Sequence, residues 1–197
     1  MAAKSSSTTI LDTTGNPAPL GLMGFGMSTV LLNFHNIGAY PIDAMVLSMG
    51  LFYGGVGQII AGIMEWKKNN TFGTTAFTSY GLFWLTLVFL MFAPKMGLAA
   101  AATNVSMGYY LGMWGIFTAF LWIDTIRISK ALEFVFASLT LLFFLLSMGN
   151  LTSNPAMIKF AGYVGVVCGF SAIYTALAQV LNSIYGRIIF PLGQVNK

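Results

Sequence analysis

An all-α integral membrane protein is the fold class that the sequence predicts: a bundle of six transmembrane helices with both termini in the cytoplasm. Three observations carry this. The 197 residues are 57% hydrophobic and only 7% charged, where a soluble domain of this size carries about a quarter charged residues. Apolar stretches long enough to cross a hydrocarbon core of about 30 Å follow one another, separated by short turns rich in Pro, Gly, Asn and Lys. The nine Lys and Arg, finally, fall mostly between alternate stretches.

Residues 1–15, MAAKSSSTTILDTTG, are polar and lack the apolar core of a signal peptide. They are expected to form a non-spanning tail. The first span is predicted over 20–37, after the proline-broken NPAPLG. It places Phe25, Thr29, Asn33 and Asn36 at spacings of four, four and three, on one helix face. A hydroxyl and two amides are costly against lipid, so that face is expected to meet protein or a water-filled path. His35, the one histidine, ends this span beside two asparagines. It is either a hydrogen-bonded helix end or a proton-relay group, and alone it builds no metal site.

The second span, 42–64, carries Gly54, Gln58, Gly62 and Glu65 on one stripe. Gln58 needs a partner at its depth. Glu65, next to Trp66, Lys67 and Lys68, either anchors the helix end or acts at the inner mouth of a path. The third and fourth spans are predicted over 74–93 and 107–126, and the fifth over 131–150. Between the last two, Asp124, Arg127, Lys130 and Glu133 alternate in sign. That pattern fits a surface salt-bridge turn or a cluster attracting an anion. The sixth span, 156–182, repeats the polar stripe with Ser171, Thr175, Gln179 and Asn182. Ser and Thr in membrane helices often bond back to their own backbone, while two further carboxamides on that face favour a path or a helix bridge. Cys168, the single cysteine, excludes an intrachain disulfide and is read as a small core residue.

An even number of spans puts both termini on one side. Lys4, Lys67, Lys68, Arg127, Lys130, Arg187 and Lys197 share that side and only Lys95 and Lys159 lie opposite, seven against two of the nine. The positive-inside rule makes the termini cytoplasmic. Pairs of glycines four apart, Gly50 with Gly54, Gly108 with Gly112 and Gly165 with Gly169, point to close helix packing, within one chain or between subunits. A faint likeness between LGLMGF at Leu20 and LGMWGI at Leu111 admits either an inverted repeat of three spans or chance.

Catalytic signatures are missing: the sequence has no G-x-S-x-G, no H-E-x-x-H and no phosphate-cradling glycine loop. The expected protein is not an enzyme and takes no cofactor. An apolar surface with scattered basic residues also excludes nucleic acid as a partner.

The opening motif NPAPLGLMGFGM resembles the signature of the acetate uptake transporter family, the succinate–acetate permeases. Similar stretches follow in FYGGVGQIIAGIMEWKKNNTFGTTAFTSYGLFWLT, FVFASLTLLF and the closing GRIIFPLG, so the resemblance covers nearly all of the chain after the first fifteen residues. It implies a multi-pass protein of the inner (plasma) membrane, forming a homo-hexamer among membrane lipids. Each protomer would hold a path for acetate and related small carboxylates, with protons as co-substrate. By the same resemblance the path is narrowed by Phe25, Tyr80 and Leu139, with Leu139 and Ala172 tied to specificity and Asn16, Pro17 and Pro19 to the signature. Phe, Tyr and Leu are also ordinary core residues, so residue type alone leaves packing open for all three. Lining the path with hydrogen-bonding groups would be Thr29, Asn33, Gln58, Ser171, Thr175 and Gln179, with Glu65 at the mouth. The Tyr80 hydroxyl is expected to offer the substrate one directed hydrogen bond. The transport domain is expected over 16–193, with 194–197 as a tail. A passive channel for protonated acids, urea or ammonia, and a non-transporting scaffold, are the competing readings.

Overall fold

The computed structural model describes residues 14–195; most of the expected N-terminal tail and residues 196–197 lie outside the described residues. Six long helical stretches account for the described chain. They are α1 (Ala18–Asn36), α2 (Ala44–Lys67), α3 (Thr71–Phe92), α4 (Asn104–Thr125), α5 (Lys130–Leu151) and α6 (Pro155–Tyr185). Each matches one predicted span to within three residues.

Capping explains most of the boundary differences. α3 and α4 each begin three residues before the apolar stretch, because Asn70 accepts a hydrogen bond from Gly73 N at 3.1 Å and Thr103 accepts one from Ser106 N at 3.1 Å. Such caps satisfy amides that have no partner in the first helical turn. Ser129 and Asn154 cap α5 and α6 in the same way. Asn69 and Ser153, at φ 57° and 48°, make the left-handed turns between α2 and α3 and between α5 and α6. α6 runs on to Tyr185 and stops at Gly186, whose φ of 61° a glycine adopts without strain.

One feature of α2 is not regular. Residues Met49–Gly57 form a π-helix, the wider helical turn in which each amide bonds five residues back. The segment is stabilised from outside, since Ser28 of α1 donates to the Met49 carbonyl at 3.0 Å. On its other side Gly81 of α3 lets the Gly55 carbonyl approach so closely that a Cβ there would lie 2.7 Å from it.

The helices pack in chain order and α6 closes back onto α1. That closing seam rests on Gly26 and Gly169, where a Cβ on either would stand 2.8 Å from the other's carbonyl oxygen. The glycine pairs noticed in the sequence all pack within the chain: Gly165 and Gly169 on α1, Gly50 and Gly54 on Trp84, Gly108 on Leu151 and Gly112 near Ser147. Four of the six helices, α2, α3, α5 and α6, are long and apolar enough to cross a membrane.

After Gly186 the chain folds back along α6. Asn182 grips it three times, donating to the Phe190 carbonyl and accepting from Ile189 N and Phe190 N. The Tyr174 hydroxyl donates to the Pro191 carbonyl. The segment then crosses to α5, where Gly193 O and Leu192 O accept from Lys130 N at 2.9 Å and Ala131 N at 3.0 Å. Val195 N donates to Ile128 O, so the ordered pairing continues two residues beyond the boundary expected at 193.

Candidate functional site

Three helices bring Phe25, Tyr80 and Leu139 together. All are buried, at 5%, 3% and 3% exposure, and they line one cavity of about 20 Å³ with Leu22, Gln58, Ala76, Phe77, Val135 and Phe136. That is room for about one water. Phe25 and Tyr80 meet at a ring-centroid distance of 6.0 Å, and Tyr80 also packs edge-on against Phe117 and Phe136. The walls offer dispersion contacts and almost nothing that replaces water around an ion.

The Tyr80 hydroxyl is not free to donate to a substrate, contrary to expectation. It donates to Thr118 Oγ1 of α4 at 2.8 Å, and Thr118 in turn donates to the Trp114 carbonyl at 2.7 Å. Thr118 is fully buried. The chain of bonds holds the tyrosine ring by its polar end, leaving the ring as the part beside Phe25 and Phe136.

The polar residue at the cavity is Gln58, at 1% exposure. Its Oε1 has no hydrogen-bond partner among the described residues. An unpaired buried acceptor costs about 1–3 kcal/mol, which marks Gln58 out from the apolar residues of the wall.

The other expected lining residues are placed elsewhere. Asn33 donates to the Thr29 carbonyl at 2.9 Å and accepts from Asn36 at 3.0 Å. It packs on Gly165 in the α1–α6 seam, and Thr29 is buried one turn below it. Thr175 donates to the Ser171 carbonyl and Ser171 to the Cys168 carbonyl, both within α6. Cys168 reaches the Val135 carbonyl of α5 at 3.5 Å, with Ala172 fully buried one turn further on. Gln179 accepts from Asn16 at 2.9 Å, while Asn16 also accepts from Ala18 N. The signature asparagine thus ties the start of α1 to α6, with Pro17 buried behind it and Pro19 in the first turn.

Glu65 is 2% exposed and accepts from Asn70 at 2.7 Å. It lies two helical turns from Gln58 on α2, at the end where Lys68 donates to the Thr14 carbonyl. Asn70 was not singled out by sequence pattern, although it holds both Glu65 and the start of α3. At the opposite end of α1, His35 Nδ1 donates to the Tyr40 carbonyl at 2.9 Å and Tyr40 donates to the Leu31 carbonyl. Partial burial, reinforced by Asp43, pushes the Tyr40 phenol above its ordinary value. Within the alternating-charge cluster, Lys130 and Glu133 pair at 2.7 Å, with the lysine two-thirds exposed, as a surface salt bridge would be.

Comparison with known proteins adds what geometry leaves out. Residues 3–195 match the GPR1/FUN34/yaaH family. The succinate-acetate/proton symporter SatP of Escherichia coli is 56% identical over 179 residues, covering 91% of this chain and 95% of SatP. Acetate permease A of Emericella nidulans is 34% identical, covering 90% of this chain and 65% of that protein. A solved structure described as the bacterial acetate channel SatP superposes with a TM-score of 0.91 at 55% identity, over 92% of this chain and all of that one. With the same all-helical fold and a family match along nearly its whole length, the chain belongs to the GPR1/FUN34/yaaH family.

Proposed function

We propose that the protein carries acetate, together with succinate or other short carboxylates, across the inner (plasma) membrane by a proton-linked route. The observation that supports this best is the convergence of Phe25, Tyr80 and Leu139 on one small cavity, lined also by Gln58 with its unpaired Oε1. The names of the relatives, a succinate-acetate/proton symporter and an acetate permease, support the same substrate class. Transport, with no chemical conversion, is the activity.

The energetics favour the neutral acid at the neck. A carboxylic acid with a pKa near 4.5 must be protonated at pH 7, about 2.5 units away, which costs about 3.4 kcal/mol. Moving the anion into an apolar site costs about 20 kcal/mol by the idealised Born estimate and several kcal/mol after relaxation. Protonation is the cheaper route, and it links uptake to protons without a buried relay.

In this reading all six helices span the membrane, with both termini in the cytoplasm and 16–193 as the transport domain. Thr29, Asn33, Ser171, Thr175 and Gln179 flank the route, Ala172 and Leu139 set specificity, and Glu65 stands at the inner mouth. Six protomers assemble, each with its own path. A passive channel is the second reading, favoured by the description of the superposing structure as an acetate channel.

Labelled-acetate uptake into liposomes holding the purified protein tests the proposal. Saturable uptake that rises with an inward proton gradient, and a changed rate in Phe25→Ala, are expected. Flux that follows only the acetate gradient without saturating selects the channel, and no uptake above protein-free liposomes refutes both.

A further inference from the structure

Gln58 carries more than a place in the wall. Its side chain is buried to 1% exposure and lines the cavity bounded by Phe25, Tyr80 and Leu139, and its Oε1 lacks a hydrogen-bond partner among the described residues. Polar side chains around the neck are bonded elsewhere: Tyr80 to Thr118, Thr118 to the Trp114 carbonyl, and Cys168 to the Val135 carbonyl. A primary carboxamide offers one N–H donor and one C=O acceptor in a plane, side by side.

A protonated carboxyl group has the complementary arrangement. Its O–H donates to the amide oxygen while its C=O accepts from the amide nitrogen, and the two bonds close one planar ring. A carboxylate has only acceptors, so it satisfies the N–H but sets negative oxygen against the amide oxygen. The geometry is unaffected if the amide's oxygen and nitrogen exchange places, because the paired acid turns over with it.

Resting on the transport reading above, we infer that Gln58 is the residue that selects the protonated acid, pairing with its carboxyl group through two reciprocal hydrogen bonds at the neck. At about 20 Å³ the cavity holds one water and not a whole carboxyl, so the side chains around Gln58 must part for the acid to pair there. The hydrocarbon part passes as the Phe25 and Leu139 side chains turn aside. The ligand class is the neutral planar group with an adjacent donor and acceptor. Primary amides belong to it as well as carboxylic acids.

Acetamide and methyl acetate are therefore the probes. Acetamide has the donor and acceptor and does not ionise; methyl acetate has a similar size and no donor. In liposomes holding the wild-type protein, acetamide is expected to compete with labelled acetate equally well at pH 5.5 and 7.5 when acetate is compared as its protonated fraction, and methyl acetate to compete about tenfold more weakly or less. Gln58→Met, close in volume and without the amide, is expected to raise the acetate KM by about tenfold to a hundredfold, the worth of two neutral hydrogen bonds, and to erase the difference between the two competitors. Its thermal stability is expected to match or exceed that of the wild type, because an unpaired buried amide has been removed. An amide with a structural role would lower it.

Equal competition by methyl acetate, or a Gln58→Met protein with the wild-type KM, overturns the pairing and leaves transport standing. Wild-type protein that moves no acetate, yet binds acetamide in detergent with binding lost in Gln58→Met, overturns the transport reading and retains the site.

Discussion

Thr118→Val is the sharpest test of how the Tyr80 ring is held. Valine matches threonine in shape but removes the acceptor for the Tyr80 hydroxyl, at a position with no solvent exposure beside a tyrosine that is 3% exposed. The stranded phenol costs about 1–3 kcal/mol, whereas Tyr80→Phe, which removes the donor and leaves Thr118 bonded to Trp114, forfeits only about 0.5–1.5 kcal/mol. The double variant has no orphan and should lie near Tyr80→Phe, giving a coupling as large as the Thr118→Val loss itself, about 1–3 kcal/mol. For a chain of this length each kcal/mol moves the midpoint by about 2–4 °C. The fraction remaining folded after heating in detergent, read by size-exclusion chromatography, therefore resolves the three proteins. Thr118→Val should be the weakest. If Tyr80→Phe falls below it, or the two losses simply add, the hydroxyl is not held by Thr118 and the account of the neck fails.

Further outcomes follow from contacts elsewhere. Gly169→Val puts a Cβ 2.8 Å from the Gly26 carbonyl and 2.9 Å from Val30 N; backbone on backbone has no cheap relief, so folded protein in membranes should fall severely, as a quantitative blot after detergent extraction would register. Asn70→Ala removes both the α3 cap and the Glu65 partner, about 1 kcal/mol for the first and 1–3 for the second. Adding Glu65→Gln, which removes the stranded charge, should restore part of the loss in the same heating assay. Asn182→Ala releases three bonds to the returning segment and should expose the chain near Phe190 to limited proteolysis before α6 itself is cut.

The helices were legible because each is one long apolar stretch and the caps that bound them are local signals. The π-helical turn was not: MGLFYGGVG is uniformly apolar or glycine, and the contacts that hold it open come from Ser28 and Gly81, distant in sequence. Periodicity fixed which residues share a face but not what lies opposite. The stripes through Asn33 and Thr175 meet a seam and their own backbone, while the stripe through Gln58 meets a cavity. Spacing put Phe25 on the face shared with Thr29 and Asn33, but Tyr80 and Leu139, and the grouping of all three, rest on the family motif, since aromatic and aliphatic residues are too common here for pattern to choose among them. Thr118 carried no signal at all; its importance lies in a partner 38 residues away.

The returning segment after Gly186 has a consequence for how the molecule is made. The amides of Lys130 and Ala131 at the start of α5 wait for acceptors from Gly193 and Leu192, residues translated after all six helices. The α1–α6 seam is likewise unavailable until the sixth helix has been synthesised. During translation the first five helices thus form an open, incompletely bonded arc, and one event near the end of synthesis joins its two ends and completes the start of α5. Quality control in the cell has a corresponding marker: a chain stalled before residue 155 displays a glycine-lined α1 surface and unsatisfied amides at α5, both of which a completed chain conceals.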